Sequence, residues 1–215
     1  MYTPEELNKM VKNQEFLKNL TPNIAKQMLV EGNKRFLMKE PIERDHHWYM
    51  KETIDSQHPF AIVLGCIDSR VQPNIVFDQG IGDLFIARVA GNIINQDILG
   101  SMEYACKVVG SKLVVVLGHT SCGAVKGACD DFKMGNLTSS MRHIQLAVER
   151  TITPAGVVRN SKNLEFVDDV ARMNVKLSVE DVLSQSEILR AMQENGEIDV
   201  IGAIYHHSTG EVEFC

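Results

Sequence analysis

Runs of apolar, largely β-branched residues at 60–65, 84–89, 112–118 and 198–205 dominate the hydrophobic pattern of the chain. Stretches such as AIVLG and LVVVLG are almost continuously hydrophobic, without the alternation of a strand that has one wet face. Such runs suit strands buried on both faces of a parallel sheet. Helical spacing returns between them, notably over 98–109 and 139–151. The alternation predicts an α/β fold: a mostly parallel β-sheet flanked by helices. After the last long run, Ser208-Thr209-Gly210 reads as a turn, and 211–214 as a short antiparallel edge strand.

Before the first strand signal, residues 4–18 and 22–39 carry amphipathic patterns. Pro4 with Glu5 and Glu6 suits the start of one helix, and Thr21-Pro22 the start of the next. Ile24, Met28, Leu29 and Phe36 follow at helical spacing. Residues 1–40 therefore form an N-terminal helical arm that needs a surface to pack on, a partner subunit among the options. Residues 40–59 are polar and turn-rich, and 60–205 form the α/β core. No repeat, low-complexity tract or linker divides the chain, so 1–215 reads as a single domain.

Composition narrows the function classes. A formal net charge of -6 without a local Lys/Arg cluster disfavours nucleic-acid phosphate as a partner. No apolar run approaches the roughly 20 residues of a membrane span. MYTPEELNKM has neither the basic nor the apolar region of a signal peptide. The expectation is no membrane partner and a cytoplasmic location. An odd cysteine count of five then points to reduced thiols, free for metal or catalysis.

Cys66 directly follows one buried run and His119 another, and in parallel sheets ligands gather at the carboxyl ends of strands. His119-x-x-Cys122 adds a second thiolate, with Gly118 and Gly123 allowing a tight backbone path. Two thiolates and one imidazole suit Zn2+, and three protein ligands leave its fourth position open, as in catalytic sites. A water bound there has its pKa lowered towards about 7, giving hydroxide at neutral pH. Cys66-Ile67-Asp68-Ser69-Arg70 places a carboxylate within reach of that position. Asp68 is either a fourth ligand or a partner of the bound water, and Arg70 can hold it by a bidentate pair that a Lys could not offer. Cys106 and Cys129 read as small core residues and Cys215 as incidental. His46, His47, His143, His206 and His207 read as solvated surface.

CIDSRV at 66–71, FDQGIGDLF at 77–85, ARVAGNI at 87–93 and GHTSCGAVKGA at 118–128 resemble the β-class carbonic anhydrases. The resemblance spans about residues 22–205 and implies a lyase that reversibly hydrates carbon dioxide to bicarbonate and a proton. It implies zinc on Cys66, His119 and Cys122, an Asp68–Arg70 dyad that orients the attacking hydroxide, and a homodimer that can assemble further. It also implies a substrate pocket from Gln57 as donor, Phe85 and Tyr104 as an apolar wall, Ala90 where some relatives have Val, and Gly123. A bicarbonate-inhibited subgroup carries Trp where this chain has Val63, so that subgroup's second bicarbonate site is not expected. Asp68 is expected on Arg70 at neutral pH. A related heterocumulene hydrolase would use a similar site. A cysteine phosphatase needs C-x5-R, whereas Arg70 lies only four residues after Cys66. A non-enzymatic zinc-stabilised module is the remaining rival.

Overall fold

A computed structural model describes residues 10–215. Five strands make one sheet: β1 (Ala61–Gly65), β2 (Leu84–Arg88), β3 (Leu113–His119), β4 (Asp199–Tyr205) and β5 (Val212–Phe214). Their order is β2-β1-β3-β4-β5, with every pairing parallel except β4–β5. β1 and β3 are buried at every position, as near-continuous apolar runs require. β2 lies at the sheet edge and is only partly covered.

The helices are α1 (Gln14–Asn19), α2 (Pro22–Met38), α3 (His46–Glu52), α4 (Pro73–Val76), α5 (Gln96–Glu103), α6 (Gly123–Cys129), α7 (Leu137–Arg150), α8 (Leu164–Gln185) and α9 (Glu187–Glu194). The expected first helix starts partly outside the described residues, at 4–9. Within them, residues 10–13 are not helical, because Asn13 caps α1 by accepting a hydrogen bond from Phe16 N at 2.8 Å. The loop expected over 40–59 contains α3, which Asp45 caps and which buries Tyr49. The longest helix, α8, and its successor α9 were not among the patterns singled out above. α5 runs on into π-helical turns at Tyr104–Val109.

The apolar faces explain the layers. Alternate residues of β1 and β3 (Ala61, Val63, Leu113, Val115, Leu117) pack against Leu17, Leu20, Ala25 and Leu29 of the arm. The described part of the arm thus covers its own sheet. Ile62, Leu64, Val114 and Val116 point the other way, onto α5, α8 and α9. Each fully buried aliphatic side chain contributes about 1.5–3 kcal/mol, so both sheet faces are held firmly. The buried Asn33 is fully paired: it donates to Val76 O and Gly210 O, each at 3.0 Å, and accepts from Val212 N. Arg35 and Arg44 both bind Asp78 at 2.5 Å, closing the connection from α2 onto the core.

Candidate metal centre

From β1 the chain moves outward to β2, then returns across β1 to β3 on its other side. That reversal is a topological switch point, where the carboxyl ends of two adjacent strands open a crevice. Cys66 follows β1 and His119 ends β3, so both stand at this crevice. Cys122 is the N-cap of α6, three residues further on. Their donor atoms all lie within 4.8 Å of one another, and the two sulfurs are 3.9 Å apart. All three side chains are buried. His119 Nδ1 faces Thr120 O at 3.0 Å, and a carbonyl can only accept, so Nδ1 carries the hydrogen. His119 Nε2 is then a buried acceptor, and it has no partner among the described residues.

The surrounding backbone is shaped to aim these atoms. Ser121, between His119 and Cys122, adopts φ 55°, and its N–H donates to Asp168 Oδ1 at 2.7 Å. Gly91 has φ 73°, and its N–H donates to Cys66 Sγ at 3.3 Å. A Cβ at Gly91 would come within 2.5 Å of Ile144, so a larger residue fits neither the dihedral nor the space. Asn174 fixes the same turn by donating to Gly91 O at 2.9 Å. Asp168 and Asn174 both belong to α8, which therefore buttresses the site from behind. Arg88 grips the other side, donating to Cys66 O at 2.8 Å and Asp68 O at 2.6 Å.

Cys66 is lowered to about 4, chiefly because Cys122 gives it a hydrogen bond, with the Gly91 N–H adding to the effect. Cys122 is pushed up because it supplies that hydrogen and because it is buried. The two sulfurs thus share one proton. Two thiolates this close would repel one another; a dication would relieve that repulsion in place of the proton and would give His119 Nε2 its missing partner. Sulfur and imidazole donors suit a borderline metal such as zinc. The donor set fits a metal.

Beside these donors, Asp68 accepts from Arg70 N and Nε, both at 3.0 Å, and from Arg70 Nη2 at 2.7 Å. The Arg70 hydrogen bond holds the Asp68 carboxyl far below the ordinary carboxylate range. Asp68 Oδ2 stands 3.9 Å from His119 Nε2. His207 requires a correction: the expected surface residue is 18% exposed and sits in the crevice, its ring 4.9 Å from that of His119. Its Nε2 is 3.9 Å from Asp68 Oδ1. Burial, with repulsion from His119 and Arg70, lowers its pKa. A partial signal was available: His207 lies two residues beyond the fourth apolar run, at the same carboxyl end of the sheet as Cys66. Asp168, Asn174 and Arg88 act through backbone groups, and nothing in residue spacing marks them.

The expected pocket residues are dispersed. Phe85 on β2 and Tyr104 at the end of α5 face each other at 6.2 Å, lining a groove of about 820 Å3 with Ile62, Ile86, Arg88 and Gln96. Tyr104 is 51% exposed. Ala90 lies in the turn beside Gly91, and Gly123 opens α6 next to Cys122. Gln57 precedes β1 and is exposed, at the opposite end of that strand from Cys66. The structure therefore unites Cys66, His119, Cys122, Asp68 and Arg70, but does not bring Gln57 to them within one chain.

A family model described as carbonic anhydrase matches residues 61–212. The chain belongs to the carbonic anhydrases. A carbonic anhydrase of Mycolicibacterium smegmatis is 36% identical over 91% of this chain and 94% of its own length. Carbonic anhydrase 2 of Mycobacterium tuberculosis is 34% identical, over 89% and 92%. The β-carbonic anhydrase CafA of Aspergillus fumigatus superposes with a TM-score of 0.70 at 27% identity, over 90% of this chain and 88% of that one. The carbonic anhydrase fold here is accordingly that of the β class, a mostly parallel sheet with an antiparallel last strand. No helix among the described residues is long and apolar enough to cross a membrane.

Proposed function

We propose that this protein is a zinc enzyme interconverting carbon dioxide and water with bicarbonate and a proton, with Cys66, His119 and Cys122 as zinc ligands. The observation that carries this reading is the convergence of two buried sulfurs 3.9 Å apart and an orphaned imidazole nitrogen beside a paired carboxylate. Zinc bound there supplies a Lewis acid that lowers the pKa of a coordinated water to about 7. The protein's own contribution is orientation. Asp68, kept ionised by Arg70, can only accept hydrogen bonds. It therefore accepts a hydrogen bond from a neighbouring O–H group and so turns that oxygen's lone pairs towards carbon.

Carbon dioxide has no charge and no net dipole, so an apolar wall of Phe85, Ala90 and Tyr104 can admit it. Gly123 leaves open space where a side chain would stand. For Gln57 to touch substrate it must reach the site of a second copy. A homodimer fits this requirement, and the partly uncovered edge strand β2, with Ile86 39% and Tyr104 51% exposed, offers a surface for it. Higher assembly could build on such a dimer. All five thiols are free, which fits a reducing cytoplasm.

The test is zinc content measured beside stopped-flow carbon dioxide hydration over pH, with carbonyl sulfide as the rival substrate. About one zinc per chain with rapid hydration is expected; a metal-loaded protein silent towards carbon dioxide would overturn the reading. Asp68→Asn should keep its zinc and lose activity by about 100-fold.

A further inference from the structure

His207 lies outside the ligand set, yet its ring is enclosed between His119 and Tyr205, at centroid distances of 4.9 and 5.4 Å. Thr120 Oγ1 accepts from His207 N at 3.1 Å and stands 3.4 Å from its Nδ1. The hydroxyl therefore has its own hydrogen left to give, and Nδ1 is placed to accept it. With Nδ1 accepting, the ring hydrogen sits on Nε2. That atom is buried and without a hydrogen-bond partner among the described residues, and it faces Asp68 Oδ1 at 3.9 Å. A buried donor left unpaired is costly, so a small carboxylate shift that brings the pair to about 3.0 Å is favoured.

Asp68 needs such a second hold. Its bonds to Arg70 are good in geometry, but the Arg70 side chain is 59% exposed, and water screens an exposed pair. Asp68 itself is only 14% exposed, and the His207 side is enclosed, where a hydrogen bond is electrostatically stronger. A cation among Cys66, His119 and Cys122 would also pull on Oδ2, which is 3.9 Å from His119 Nε2. Given the reading above, in which Asp68 orients the reacting O–H, we propose that His207 is a positioning residue that clamps Asp68 from the protein side, opposite Arg70, and keeps the carboxylate off the metal.

The test compares His207→Leu, which keeps bulk but has no donor, with His207→Gln, whose amide Nε2 can reach the same point. The visible spectrum of the cobalt-substituted protein reports the coordination, beside metal content and carbon dioxide hydration. In His207→Leu the metal content should persist, the cobalt spectrum should change as Asp68 joins the coordination, and the rate should fall about 10–100-fold. His207→Gln should restore the parent spectrum and most of the rate. A Leu variant with the parent's spectrum and rate would overturn the proposal, as would a Gln variant that behaves like Leu. If the Leu variant does not fold, His207→Asn, which is too short to reach Asp68, must show the same changes. A parent protein that neither holds metal nor hydrates carbon dioxide would instead overturn the functional reading beneath the proposal.

Discussion

The carboxyl-end crevice and the groove along β2 belong to one sheet but are finished to different degrees. In the crevice, donors from β1, β3 and the α6 cap are buried and nearly every supporting backbone group has a partner, supplied largely by α8 and Arg88. The groove is open, lined by the exposed Ile86 of the edge strand and the exposed Tyr104 at the end of α5. Arg88 joins the two, since it lines the groove and holds the Cys66 and Asp68 carbonyls. A metal site needs its ligand atoms placed within tenths of an ångström, and here one chain brings all three candidate donors together. An apolar wall tolerates looser placement and can be left for a second copy to complete.

That contrast can be broken from either side. The largest effect is expected at the ligands: His119→Ala or Cys66→Ser should remove metal and carbon dioxide hydration together, by more than about 100-fold, since even outer partners cost 10–100-fold. Metal analysis on the folded variants checks this. Next, Asp168→Ala should loosen the left-handed turn at Ser121 and weaken metal affinity by about 10-fold. Asp168→Asn, which retains an acceptor for Ser121 N, should largely recover it in a chelator competition. On the groove side, Ile86→Lys should shift the protein towards monomer in sedimentation velocity while leaving metal content intact. Metal loss in that variant would show that crevice and groove are not independent. The smallest effect concerns the metal-free protein. Because Cys66 is lowered to about 4 by the Cys122 hydrogen bond, one thiolate per chain should persist as pH falls towards that value. Its ultraviolet absorbance during acid titration reports it, and loss near the ordinary thiol range would contradict the shared proton.

Much of this architecture is legible from local pattern. The four long strands follow directly from apolar runs; for β1, β3 and β4 the reason is burial on both faces, whereas β2 at the edge is only partly covered. Cys66, His119 and Cys122 stand out because they sit where such runs stop. The helix at His46–Glu52 leaves little mark in the sequence because its polar residues face water and only Tyr49 is fully buried. His207 was misread for a related cause: two adjacent histidines in a polar stretch look solvated, although His207 follows a strand end. The separation of Gln57 from the donors is invisible along the chain, where nine residues seem close. Across a five-residue strand they lie at opposite ends of the sheet.

The sequence by itself determined the strands, the α/β alternation and the candidate donors Cys66, His119 and Cys122, because apolar runs and residue chemistry are local properties. Only the tertiary structure decided which groups surround those donors. The strand order puts β1 beside β3 and so creates the crevice. The packing of α8 delivers Asp168 and Asn174 to backbone groups 47 and 83 residues away. The return of β4 beside β3 brings His207 against Asp68. Such long-range neighbours arise from burying two sheet faces at once, and no spacing along the chain encodes them.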